Sequence, residues 1–367
     1  MKMLGLKSKP LAADKSDKIG RVLVFIYLAL FFCFLVLPLF ALMSKSMQNA
    51  EGVFVGLENF KVYLKDPALF KSFFHSLFVA FVSTVIVVCL GFLYAFALQC
   101  TCIPLKGFFR VVSLIPLLSP SILAAIALVY WFGNQGVFKE LLLGNSIYGP
   151  IGIIMASVYW TFPHALMILS TSLSLSDARL YEASDALKAS KLRTFFTVTI
   201  PGAKYGIIST TFVVFILVFT DFGVPKVIGG NYNVLATDIY REVVGMQNFQ
   251  MGAVISIVLL VPALLAFALD QFSRKRQASQ LTSRAVVYVP KPHKLRDNLL
   301  LCYCLLITVL VFLMLGMAQF GALVKFWPYN LSLTLKHYNF EVAGLGWDSF
   351  YNSIRMSLWA AFFGTVI

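Results

Sequence analysis

Charge is what this sequence has least of. Charged residues occupy 13% of its 367 positions against 59% hydrophobic ones, a balance that soluble globular chains of this size do not show. Strand-type alternation is missing from the apolar runs, and the runs are too long for barrel strands, which excludes a transmembrane β-barrel. No G-x-x-x-x-G-K-[ST] occurs anywhere, so the chain carries no phosphate cradle of that kind. The six cysteines form no paired framework. Cys33, Cys89, Cys302 and Cys304 fall in apolar runs, and Cys100 with Cys102 makes a lone CxC without accompanying histidines, weak grounds for a metal site. No cluster of Tyr, His and carboxylates at ligand spacing stands out either.

What is present is a series of long apolar windows. Stretches of about 20 residues, the length that crosses a bilayer as helix, recur at 22–44, 72–98, 108–132, 150–173, 205–225, 251–272 and 299–324, and an eighth opens near 350 and is still running at Ile367. Helices that satisfy their own backbone are the spanning structure such windows permit. The first window is too long for the core of a secretory signal and lacks a small-residue cleavage site after it, so it reads as a retained span. With the N-terminus placed in the cytoplasm, the loops 1–21, 99–110, 174–204 and 274–296 hold 20 Lys and Arg, and the alternate loops 45–71, 133–149, 226–249 and 325–348 hold 9. That twofold bias is the positive-inside pattern. The net charge of +14 therefore reports topology rather than a nucleic-acid partner.

The chain divides at a basic stretch. Residues 1–21 form a cytoplasmic N-terminal segment, 22–273 a first block of six spans, 274–298 a cytoplasmic linker, and 299–367 the start of a second block. The linker holds seven basic residues, no acid and two prolines within 274–296. "SFFHSL" (Ser72–Leu77), at the opening of the second span, recurs as "SFYNSI" (Ser349–Ile354) at the opening of the eighth, and "STVI" (Ser83–Ile86) is echoed by "GTVI" (Gly364–Ile367). The repeat and the apolar run still open at Ile367 lead us to expect a truncated two-block product.

Arg179–Gly206, between the fourth and fifth windows, is helical in pattern without being apolar throughout. Ser176 or Asp177 can cap a helix start, and Leu180, Ala183, Ser184 and Leu187 share one face at i, i+3, i+4, i+7. Pro201 marks the end of a second short piece in which Leu192, Phe195, Phe196 and Thr199 share another face. Two short helices at the inner membrane surface, offering small residues and the Glu182 carboxylate to a cytoplasmic partner, are expected. An amphipathic loop helix lying in the lipid interface is the alternative.

"EASDALKASKLRTFFTVTIP" resembles the EAA loop of inner-membrane permease subunits of binding-protein-dependent ABC importers, whose pattern is E-A-A, three residues, G, nine residues, then I-x-L-P. Glu182, Ala183 and Ser184 fall on E-A-A, and Pro201 near the expected terminal proline. Lys188 stands where the glycine is expected, a departure that bears on the bend, since glycine adopts backbone angles that cost lysine energy. "VFVGLENFKVYLKDPALFKSFFHSL" (Val53–Leu77) and "LIPLLSPSILAAIALVYWFGNQG" (Leu114–Gly136) are similar to the outer loop and the third span of such permeases. "TDFGVPKVIGGNYNVLATDIYREVVGMQNFQMGA" (Thr220–Ala253) looks like the branch for 2-aminoethylphosphonate, with ferric-iron permeases as near relatives.

The resemblance implies an all-α polytopic fold of the ABC importer permease type in the bacterial inner membrane, with one complete six-span block and the start of a second. It implies no catalysis in this chain: ATP and Mg are expected on a cytoplasmic ABC ATPase dimer that grips a coupling loop at 177–203, through Glu182, Ala183, Ser184, Leu187, Lys188 and Pro201. The further partners implied are an extracytoplasmic solute-binding protein, a second permease half, fused or separate, and membrane lipid. Ionisable residues within spans are candidates for the pathway. Asp221 and Lys226 bracket "FGVP" at the outer end of the fifth span, where a zwitterion could meet both signs. Pro116 and Pro120, with Ser113, Ser119 and Ser121, predict an irregular third helix lining the pathway. A ferric-iron importer of the same architecture is the alternative cargo reading. An ion-coupled secondary transporter would leave the EAA-like loop unexplained, and a transport-free scaffold predicts tolerance of Glu182 replacement.

Overall fold

A computed structural model describes residues 15–280, 286, 288–339, 341 and 346–366. The first fourteen residues of the N-terminal segment, linker residues 281–285 and 287, and Ile367 in the repeat echo lie outside them. Among the described residues, five helical stretches are long and apolar enough to cross a membrane: α1 (Ile19–Ser46), α2 (Pro67–Cys100), α5 (Pro150–Ser174), α11, whose apolar part is Phe249–Phe272, and α12 (Lys294–Leu323). Two further windows are bent pairs. α3 (Lys106–Leu118) meets α4 (Ser121–Phe132) at 99°, and α7 (Lys191–Gly202) meets α8 (Lys204–Phe219) at 64°.

The 99° bend is written by the prolines. Pro116 opens a tight 3₁₀ turn over Ile115–Leu118, Ser119 is driven to an extended conformation (ψ 143°) by the ring that follows it, and Pro120 leads into the new helix at Ser121. The irregular third helix is therefore present, sharper than a kink. In the fifth window the expected continuous span 205–225 is corrected. Helix α8 ends at Phe219, the chain turns through Thr220–Phe222, and a separate short helix, α9 (Gly223–Ile228), follows. The reason is local: the Asp221 carboxylate accepts from the backbone N–H groups of Gly223 (3.3 Å) and Val224 (3.0 Å), starting a new helix instead of continuing the old one.

The core is α2 packed on α5 and α8, with α8 also packed on α5 and on α11 (Phe249–Gln280). Small residues permit the approach. Ala80, Ala95, Ala156 and Ala165 are buried, and a Cβ placed on Gly91 would lie 3.2 Å from that of Ala165. A side chain at Gly206 would collide with Ser172 across the α5–α8 contact. The opposite face of α2 turns Phe74, Phe78 and Phe81 outward, the surface expected against acyl chains. Helix α1 buries none of its most apolar stretch and reaches the bundle through Leu37–Ser46, which packs on α11. Beyond α12, Val324–Phe326 and Asn330–Leu333 pair as an antiparallel hairpin that sequence reading did not anticipate, and α13 (Asp348–Val366) carries the second "SF" motif.

Candidate functional site

The loop between α5 and α8 folds as two short helices. Helix α6 (Ala178–Ala186) starts at Asp177, whose carboxylate accepts from the N–H of Arg179 at 3.1 Å. Its end is a left-handed cap: Lys188 N–H donates to the Asp185 carbonyl and Ala189 N–H to the Ser184 carbonyl, both at 3.0 Å, with Lys188 at φ +51°. This is the Schellman arrangement that glycine usually makes, so lysine takes up here the conformation expected of the family glycine. Ser190 then caps α7, its hydroxyl accepting from Arg193 N–H at 3.2 Å. Helix α7 includes a wide turn over Phe195–Thr199 and continues one residue past the exposed Pro201, to Gly202.

Hydroxyls hold the two helices together. Ser184 Oγ and Thr194 Oγ1 share a buried hydrogen bond of 2.7 Å, and Tyr181 Oη donates to Thr199 Oγ1 at 3.1 Å. Ser184 consequently turns inward, which corrects its expected place on the outward face. The stripe was drawn from spacing alone, and spacing does not reveal that Thr194 stands opposite. Glu182, Ala183 and Lys188 are exposed, and Leu187 is 82% exposed. The outward surface is therefore a carboxylate, a methyl and an unpartnered leucine on one rigid turn.

The linker returns to brace this pair from behind. Ala178 N–H donates to the Val286 carbonyl at 2.9 Å, and the Tyr181 and Tyr288 rings stack with centroids 4.0 Å apart. Asp185 accepts from Lys191 Nζ (2.9 Å) and from Lys291 Nζ (3.0 Å). The hydrogen bond from Lys191, then that from Lys291, holds the Asp185 carboxyl below the usual carboxylate range, and the same contact raises the Lys291 ammonium above its ordinary value.

The residues assigned to a pathway make separate contacts. Asp221 accepts from Ser121 Oγ at 3.0 Å in addition to capping α9. Lys226 Nζ lies 4.2 Å from the centroid of the Tyr240 ring, a cation–π contact. No ion pair joins Asp221 to Lys226 among the described residues. Ser119 Oγ donates to the Pro116 carbonyl at 3.0 Å within the bend.

Residues 103–279, which contain this loop and these bends, match the family described as binding-protein-dependent transport system inner membrane component. A Haemophilus influenzae protein named as a ferric transport system permease, FbpB 1, is 27% identical over 96% of this chain, which spans 58% of that relative's length. The Escherichia coli spermidine/putrescine transport system permease protein PotB is 27% identical over 54% of this chain and 75% of its own. Among solved structures, a bacterial ABC transporter that imports the acidic polysaccharide alginate shares the fold at TM-score 0.56, with 13% identity over 73% of this chain and 98% of that one.

Other polar groups, which sequence reading passed over, also stand out. Near the start of α2, His75 Nδ1 meets the Asn233 carbonyl at 2.9 Å and its ring stacks on Tyr232 with centroids 3.7 Å apart. Close by, at the end of α10 (Leu235–Tyr240), Arg241 lies 3.4 Å from both Asp238 and Glu242, two nearly buried carboxylates. Their i, i+4 spacing was visible as a shared helix face. Burial was not, because "TDIYREVV" reads equally well as a solvated helix.

Proposed function

We propose that the chain is the membrane-spanning subunit of an ATP-driven, binding-protein-dependent importer, with its N-terminus in the cytoplasm. The observation that carries this reading is the rigid α6–α7 turn, which presents Glu182, Ala183 and Leu187 outward while Ser184, Thr194, Tyr181 and the linker hold it from within. Such a turn can enter a cleft on a cytoplasmic ATPase dimer. Closure of that dimer on ATP and Mg would be delivered through α7 into α8, across the 64° bend, and so to the α2–α5–α8 core. The chain itself performs no hydrolysis. A solute-binding protein delivers cargo outside, and a second permease half completes the pathway around a pseudo-twofold axis.

For cargo, two readings rest on different observations. Similarity of Thr220–Ala253 to the aminoethylphosphonate branch supports 2-aminoethylphosphonate, and the relative matched over 96% of the chain supports ferric iron. The mechanism is the same for both. Disulfide or photo-crosslinking from Glu182→Cys in the assembled transporter tests the docking: crosslinks to the ATPase that change with ATP support it, and crosslinks to lipid alone refute it.

A further inference from the structure

The returning linker roofs a cavity of about 320 Å³ between α7 and the start of α12. Its walls are apolar and aromatic: Phe96, Phe195, Tyr181 and Tyr288. Its rim carries Lys191, Lys291, His293 and Arg296, and Asp185 is the carboxylate that lines it. Lys191 and Lys291 share that one acid, and their side chains are 67% and 78% exposed, so neither cation is buried or used up. Arg296 is held at the rim by Asp297 (2.8 Å) and by the Lys291 carbonyl (2.8 Å). Charge at the rim therefore stays positive after the acids are counted. The cavity also lies at the ends of three helices, beside Cys100 of α2, Lys191 of α7 and Arg296 of α12, and Leu192 on its edge is 74% exposed. An apolar slot with a cationic rim at the boundary of the hydrocarbon is chemistry suited to a phosphate carrying an apolar tail.

We propose that this cavity binds the phosphate headgroup of an anionic phospholipid, the phosphate lying between Lys191 and Lys291 and the apolar part running along Phe96, Leu192 and Phe195. Placement in the inner leaflet rests on the importer topology proposed above. Asp185 competes with the phosphate for both lysines, which sets the sign of a test. If the lysines serve a structural clasp alone, removing them and removing Asp185 break the same two ion pairs and act in the same direction. If they bind phosphate, the two changes act in opposite directions.

The experiment is native mass spectrometry of the purified chain from micelles doped with phosphatidylglycerol or phosphatidylcholine, with and without inorganic phosphate. The expected result is selective retention of phosphatidylglycerol, reduced about tenfold or more by Lys191→Ala with Lys291→Ala and increased by Asp185→Asn. Retention preserved by Lys191→Arg with Lys291→Arg is also expected, and it separates lost charge from lost folding. Displacement by millimolar inorganic phosphate as effective as that by lipid would support the phosphate site and assign it to a free anion. Equal retention of both lipids, indifference to the lysine changes, or weaker binding in Asp185→Asn would overturn the proposal. Since neither transport nor ATP is measured, failure here leaves the importer reading standing, and the reverse.

Discussion

Ser121 and Asp221 lie one hundred positions apart and share a hydrogen bond of 3.0 Å. Each stands at a place where a membrane helix breaks, Ser121 just after the 99° bend and Asp221 just after α8 ends, so one contact ties the two interruptions together. Gly223 is close enough that a Cβ there would lie 2.7 Å from Ser121 Oγ.

The tie predicts a stability pattern. Ser121→Ala removes a hydrogen bond to a half-buried carboxylate and is expected to destabilise by about 1.5–3 kcal/mol. Gly223→Ala, which forces the serine aside, is expected to cost about 1–3 kcal/mol. In the double variant the clash is relieved, so thermal unfolding in detergent should show less than the sum of the two effects.

Lys188 offers a second test, because its φ of +51° strains any residue with a Cβ. Lys188→Gly relieves a strain of about 1–2 kcal/mol and adds about 0.5–1 kcal/mol of unfolded-state freedom. The expected net is a gain of up to about 1.5 kcal/mol, visible as slower amide exchange over 177–203. Lys188→Val should speed exchange there, since a β-branched residue tolerates this region worse.

Much of this was legible in the sequence, for identifiable reasons. Window length located the spans, and the spacing from Glu182 to Pro201 located the helix pair, because both signals are local. The bend at Pro120 was signalled by proline, but its angle depends on what α4 packs against. Sequence reading gives Asp185 no role, yet the linker's seven basic residues without an acid were a sign that a carboxylate from elsewhere would meet them. Ser184 was misplaced because its partner Thr194 lies on the other helix, and periodicity within one helix cannot report it.

The Asp185 contacts give a pH dependence. Its folded pKa lies below the ordinary carboxylate value, so the contribution is complete above about pH 4 and is lost as pH falls through the lowered pKa. The Lys291 value is raised, so its share is complete below about pH 10 and is lost as pH rises through the folded value. Crosslinking between 178–185 and 288–291 should be constant from pH 5 to 9, fall in stronger acid, and lose that acid dependence in Asp185→Asn. High salt should weaken the exposed ion pairs and leave the Tyr181–Tyr288 stack.

Inward and outward residues of the loop should separate in function. Ser184→Ala removes its hydrogen bond to Thr194, which keeps its bond to the Ser190 carbonyl at 3.2 Å, and is expected to cost about 0.5–1.5 kcal/mol of stability with coupling retained in the folded fraction. Glu182→Lys, on the exposed face, should leave insertion and stability unchanged and abolish transport in the complete assembly. Transport surviving Glu182→Lys would separate this loop from the ATPase.

The central claim is tested most directly by uptake into proteoliposomes. The chain would be reconstituted with the second permease half, ATPase and binding protein proposed for it and given labelled 2-aminoethylphosphonate, with ferric iron in a parallel arm. Uptake of either cargo that requires ATP and the binding protein, and is lost in Glu182→Lys, is the predicted result, and the cargo taken up decides between the two readings. Uptake that proceeds without ATP and follows an imposed ion gradient would contradict the account.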